Sequence, residues 1–185
     1  MIADYCRKQS EQGIQVFCDP IMGDDGHLYN GMTEDTVRNM RNIVSCADYI
    51  VPNYTEACAL ADIPYQSVCD EEKIKEVIGK LHELGAKSVV VTSVAMEKGC
   101  SVWGYDNQTN EYFEIPYNLI PVRFPGTGDI FSAVFMGNIL NGKTMKESTE
   151  KAMDTVYRLI LKSLDTQDTF KGVMIESLLG EIDDE

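Results

Sequence analysis

A chain of 185 residues with 44% hydrophobic content is long and apolar enough to bury a core, which excludes a disordered chain. Its 16 basic residues against 30 acidic ones give a formal charge of −14, and no basic stripe offsets it, so nucleic acid is excluded as an expected partner. No apolar run is long enough to span a membrane, and Met1-Ile2-Ala3-Asp4 begins no signal peptide, so the expected compartment is the cytoplasm with no membrane partner.

Residues 3–12 predict a short polar helix stopped at Gly13, and Ile14 to Cys18 a strand running into Asp19-Pro20. The stretch from Gly23 to Gly31 is dense in turn formers and predicts a loop or flap. Thr33 can cap a helix to Val44 with Val37, Met40 and Val44 on one face. Tyr49-Ile50-Val51 is a short strand stopped at Pro52-Asn53, and a helix follows to Ala61. Asp70 caps the clearest helix, whose stripe is Ile74, Val77, Ile78 and Leu81 and whose end is Gly85. Ser88 to Ser93 is apolar on both faces, the pattern of a covered parallel strand. Asp106 to Asn110 joins two alternating runs, Ser101–Tyr105 and Glu111–Tyr117, as a hairpin. Ile130 to Leu140 predicts a buried helix. After a break at Asn141-Gly142, Met145, Ala152, Met153, Val156 and Ile160 predict an amphipathic one. The acidic tail Glu181 to Glu185 is expected to fray. This order predicts an α/β fold, a mostly parallel sheet flanked by helices with an antiparallel hairpin, in one domain over residues 1–185. Three parallel-type strands are few for such a sheet, so the domain is expected to be incomplete.

Chemistry is expected where open α/β sheets bind ligands, beyond the carboxyl ends of the strands. Asp19 ends the first strand with Asp24 five residues on, Asn53 ends the second with Glu56 three on, and Thr92-Ser93 ends the third. Ahead of the apolar helix, Gly126-Thr127-Gly128-Asp129 forms a tight turn that can aim backbone N–H groups at an anion, with Asp129 as a base beside it. The three acids Asp19, Asp24 and Glu56 suit a hard cation such as Mg²⁺, which takes a few carboxylates plus water and phosphate oxygens. Each feature also has a structural reading. Thr127 and Asp129 can cap a helix, Asp19-Pro20 can start a turn, Asp24 can sit in an exposed flap, and Glu56 can favour a helix N-terminus.

Four stretches in one order now carry a resemblance: Asp19-Pro20-Ile21-Met22-Gly23-Asp24 with Gly26-His27-Leu28-Tyr29, Val51-Pro52-Asn53-Tyr54-Thr55-Glu56, Val91-Thr92-Ser93, and Gly126-Thr127-Gly128-Asp129. Together they resemble the vitamin B6 (pyridoxal, pyridoxine and pyridoxamine) kinases of the ribokinase-like superfamily. The resemblance implies ATP-dependent phosphorylation of a 5′-hydroxymethyl group, with Asp129 as the catalytic base at the substrate. It implies Gly126, Thr127 and Gly128 as an anion hole, and Asp19, Asp24 and Glu56 as metal- and phosphate-organising acids. Tyr29, Val51, Thr92 and Ser93 are implied to join those acids in binding ATP, under a flap running from Asp24 to Tyr29. Mg²⁺ and a homodimer are implied too, and help from a monovalent cation stays open.

Hydroxymethylpyrimidine phosphate kinases are similar as well but typically carry Cys where Asp129 stands, and sugar kinases usually lack this Asp-Pro-Ile-Met-Gly-Asp flap. Family members also carry an N-terminal portion, ahead of the Asp-Pro strand, that grips the pyridine ring. This chain lacks it, so the expectation is a fragment or truncation with weak turnover. The alternatives are a hydroxymethylpyrimidine or sugar kinase, or a catalytically silent nucleotide-binding remnant.

Overall fold

The structure, a computed structural model, describes residues 1–164 and 172–175; the tail from Glu181 lies outside the described residues. The chain forms two compact units, one from Met1 to Leu119 and one from Ile120 onward. The first unit runs α1 (Ile2–Glu11), β1 (Phe17–Cys18), β2 (Gly23–Asp24), β3 (His27–Leu28), α2 (Glu34–Val44), β4 (Tyr49–Ile50), α3 (Tyr54–Ala61), α4 (Glu71–Leu84), β5 (Ser88–Met96), β6 (Gly99–Asp106) and β7 (Glu111–Tyr117). Its main sheet has the order β1-β4-β5-β6-β7. Pairing is parallel from β1 through β4 to β5 and antiparallel from β5 through β6 to β7, while β2 and β3 form a separate antiparallel pair. The parallel strands are short and the antiparallel ladders long, so β5 is the seam between the two kinds of pairing.

Local chemistry sets the ends of these elements. Val16 donates its N–H to the Asp48 carboxylate at 2.7 Å and its carbonyl accepts from Tyr49, so the predicted strand from Ile14 shortens to Phe17–Cys18. Asp70 Oδ1 accepts from the Lys73 N–H at 2.8 Å and starts α4. Gly85 ends α4 at φ +121, and a Cβ there would stand 2.6 Å from the Ser45 carbonyl oxygen. The α4 stripe predicted from sequence is the packed one: Ile74, Val77, Ile78 and Leu81 are fully buried. They join Val44, Ile50, Val89, Val91 and Val94 in the unit's core. All six cysteines are free.

The second unit carries α5 (Thr127–Leu140) and α6 (Met145–Ser163), joined at Asn141-Gly142, where Gly142 takes φ +82. Its core gathers Phe124, Leu159 and Val173 with Val122, Ile130 and Ile160. Two expectations change here. Helix α5 is not buried throughout: Phe131 and Phe135 are covered, but Leu140 is 62% exposed. Within its unit α5 packs on α6, and one neighbouring helix covers one stripe of an all-round apolar helix. In α6 the buried stripe is Met145, Ser148, Thr149, Ala152, Thr155, Leu159 and Ser163, with Met153, Val156 and Ile160 only half-buried. The hydroxyls go inside because they serve their own helix. Ser148 donates to the Thr144 carbonyl at 2.8 Å and Thr149 to the Met145 carbonyl at 2.9 Å.

Candidate active site

In the first unit, Asp19, Val51-Pro52-Asn53 and Thr92 meet at the carboxyl ends of three adjacent parallel strands. Val51 N–H donates to the Cys18 carbonyl at 3.0 Å and Thr92 N–H to the Pro52 carbonyl at 3.0 Å, with an isolated parallel bridge between Asn53 and Thr92. Val51 is buried, Asp19 and Thr92 are half-buried and Ser93 is exposed. The strand predicted to stop at Thr92-Ser93 continues to Met96 through an irregularity in the β5–β6 register between Val91 and Val94. Ser93 sits in it at φ +58, a conformation rare outside glycine. The Tyr117 phenol beside Ser93 is pushed up to about 12 by burial.

Glu56 organises the ground between those strand ends and the flap. It is 3% exposed, and both its oxygens accept backbone amides. Oε1 takes Met22 N–H at 2.9 Å and Gly23 N–H at 3.4 Å, while Oε2 takes Asn53 N–H at 2.9 Å. Asn53 closes the capping box by accepting the Glu56 N–H at 3.0 Å, and its Nδ2 donates to the Gly23 carbonyl at 2.8 Å. Burial pushes the Glu56 carboxyl from 4.5 up to about 7; the three amides pull it down, and nearby Asp19 adds to the rise.

The Gly23–Gly31 stretch is more than a loop. It holds the β2–β3 hairpin, whose two turn residues, Asp25 at φ +50 and Gly26 at φ +79, both take positive φ. Asp24 is half-buried and accepts the Asp25 N–H at 2.9 Å, and Tyr29 is 46% exposed with its N–H on the Met22 carbonyl at 2.9 Å.

In the second unit, Gly126 is the N-cap of α5 at φ +89, and no side chain caps that helix. The capping reading of Thr127 and Asp129 therefore gives way: Thr127 donates its hydroxyl to the Phe124 carbonyl at 3.2 Å, and Asp129 lies exposed in the first turn. The first-turn N–H groups of a helix have no intrahelical partners, so this uncapped end offers donors and the positive helix pole to an anion. Gly126 takes a left-handed φ that favours glycine, and Asp129 Oδ2 lies within van der Waals reach of where its Cβ would be, at 3.9 Å.

Among the described residues no group of three or more His, Cys, Asp or Glu side chains gathers as a metal cage. The acids present suit Mg²⁺ in another way, since that ion takes one or two carboxylates and completes its shell with phosphate oxygens and water. Both Glu56 oxygens are on backbone amides, while Asp19 and Asp24 are half-buried beside it at the first strand end and in the hairpin. Thr55 and Tyr65 meet the hairpin tip at Gly26, a contact that no local sequence pattern assigns to them. The Asn53-x-x-Glu56 capping pattern was the available signal that the start of α3 matters.

Parallel strands ending in acids and hydroxyls, a hairpin flap and a glycine turn bearing an aspartate define the ribokinase-like class of α/β proteins. The phosphomethylpyrimidine kinase family profile matches residues 1–174, and the chain belongs to that family. It is 30% identical over 165 residues to the pyridoxal kinase of Dictyostelium discoideum, covering 83% of this chain and 53% of that one. A Bacteroides thetaiotaomicron structure provisionally named a phosphomethylpyrimidine kinase, solved with pyridoxal, is 28% identical with a TM-score of 0.88 over 98% of this chain and 66% of that one. Leishmania donovani pyridoxal kinase, in complex with ADP and pyridoxamine, is 27% identical with a TM-score of 0.78 over 98% and 62%. The chain spans about half the length of the curated relatives it matches.

Proposed function

We propose that this chain is the nucleotide-binding and catalytic portion of an ATP-dependent kinase that phosphorylates the 5′-hydroxymethyl group of pyridoxal, pyridoxine or pyridoxamine. The observation that carries the reading is the uncapped glycine turn at the head of α5, with Asp129 exposed in its first turn. Phosphoryl transfer asks for positioning and charge neutralisation rather than covalent chemistry. Asp129 holds the substrate hydroxyl and takes its proton as the oxygen attacks the γ-phosphorus. The bond from that phosphorus to the bridging oxygen then breaks, and ADP leaves with the electron pair. The N–H groups of Gly126, Thr127 and Gly128 receive the transferred phosphoryl. Val51, Thr92, Ser93 and Tyr29 line the nucleotide, and Asp19 and Asp24 face its metal with Glu56 fixing their surroundings. Mg²⁺ neutralises the phosphate charge when bound.

The family match over residues 1–174 supports treating the two units as parts of one kinase domain. A cytoplasmic homodimer is part of the same proposal. Pyridoxal-dependent ADP release by the natural polypeptide carrying this chain is expected to fall about 10²–10⁴-fold in Asp129→Asn, and near-normal release would remove the proposed base. A second reading has one specific support, the phosphomethylpyrimidine kinase description of the matching family. A panel of pyridoxal against hydroxymethylpyrimidine and its phosphate separates the two.

A further inference from the structure

The β2–β3 hairpin has two residues in each strand, too few to hold itself in water, so its position depends on what it docks against. Its base is fixed by the Glu56 and Asn53 contacts to Met22 and Gly23. Its tip is held separately. Gly26 donates its N–H to Thr55 Oγ1 at 2.9 Å, and Thr55 is 7% exposed on the first turn of α3. The Tyr65 ring also lies against Gly26, where a Cβ would meet its Cδ1 at 2.7 Å. Tyr65 in turn packs on the buried Tyr54 ring, 5.5 Å between centroids. Gly26 is thus gripped by a hydroxyl and a ring that α3 carries or supports.

We propose that Thr55 and Tyr65 are positioning residues, a clasp that fixes the hairpin tip so that Asp24 and the segment to Tyr29 are already set for a nucleotide's polyphosphate. The proposal rests on the nucleotide-binding reading above. A flap ordered before binding loses less conformational freedom on binding, so the clasp acts on nucleotide affinity.

The test uses the natural polypeptide carrying this chain, with Thr55→Val, Thr55→Ser and Tyr65→Leu. It reads hydrogen exchange at the Gly26 amide and the Kd for AMP-PNP with Mg²⁺. Thr55→Val keeps the side-chain shape and removes the acceptor, so Gly26 exchange is expected to speed up about tenfold, the worth of one hydrogen bond. Kd is expected to rise by a similar factor, about 3–10-fold. Tyr65→Leu moves both readouts in the same direction, and Thr55→Ser restores both. Unchanged Gly26 exchange in Thr55→Val overturns the clasp, as does faster exchange with an unchanged Kd. A defect shared by the Val and Ser variants overturns the hydroxyl's role in favour of packing. Failure of the unaltered chain to bind AMP-PNP defeats the nucleotide-binding reading instead, and the exchange result alone then decides whether the tip is clasped.

Discussion

Burial holds the Glu56 carboxyl at about 7 although three backbone amides point at it, so desolvation outweighs the hydrogen bonds. The folded chain therefore keeps this proton more tightly than the unfolded chain, whose carboxyl titrates near 4.5. The stability this contributes is complete below about pH 4.5 and is lost as pH rises through about 7. Glu56→Gln is expected to flatten the fall in urea midpoint over that window, and an unchanged slope would assign the titration to another group. The sequence marked Glu56 as an acid at a strand end, and the Asn-x-x-Glu spacing carried that much. It could not show that Oε1 is taken by the Met22 and Gly23 amides, from a segment more than thirty positions away, while Oε2 stays on the nearby Asn53 amide. Asp129 is the opposite case. Its place in the first turn of a glycine-headed helix was legible, because that geometry is local.

Elements with complete local signals formed where the sequence put them. Asp70 and Gly85 bound α4, and the stripe between them is the buried one. Asp70→Ala is expected to cost about 1 kcal/mol in urea unfolding, the usual worth of an N-cap, and to leave nucleotide affinity unchanged. The predictions that shifted depended on partners. Helix α6 buries Ser and Thr, which an apolar-only pattern counts as surface, because their hydroxyls bond back to its own carbonyls. The flap became a hairpin because its tip and base find acceptors on α3. Strand β5 ran past its predicted end because β6 pairs with it on both sides of the Ser93 irregularity.

Over the whole molecule, the parallel part of the sheet is short and the core of the first unit lies under α4 and β5. Ile78→Ala in that core is expected to cost about 2–5 kcal/mol by urea denaturation. Leu140→Gln on the exposed end of α5 is expected to stay within about 0.5 kcal/mol. The 185 residues alone are expected to show weak or no pyridoxal phosphorylation, since they span about half of the pyridoxal kinases they resemble. Robust turnover would overturn that expectation.

The sequence by itself determined the α/β class, the helices and the main-sheet strands in their order, the Asp70 cap, and the four stretches that mark the family. Each of these is written in neighbouring residues through periodicity, capping chemistry and turn propensity. The tertiary structure alone decided that Glu56 is tied to amides, how the flap is held, and which helix faces are covered. Those depend on groups far apart in the chain meeting in space, where burial sets the cost of every unpaired polar atom.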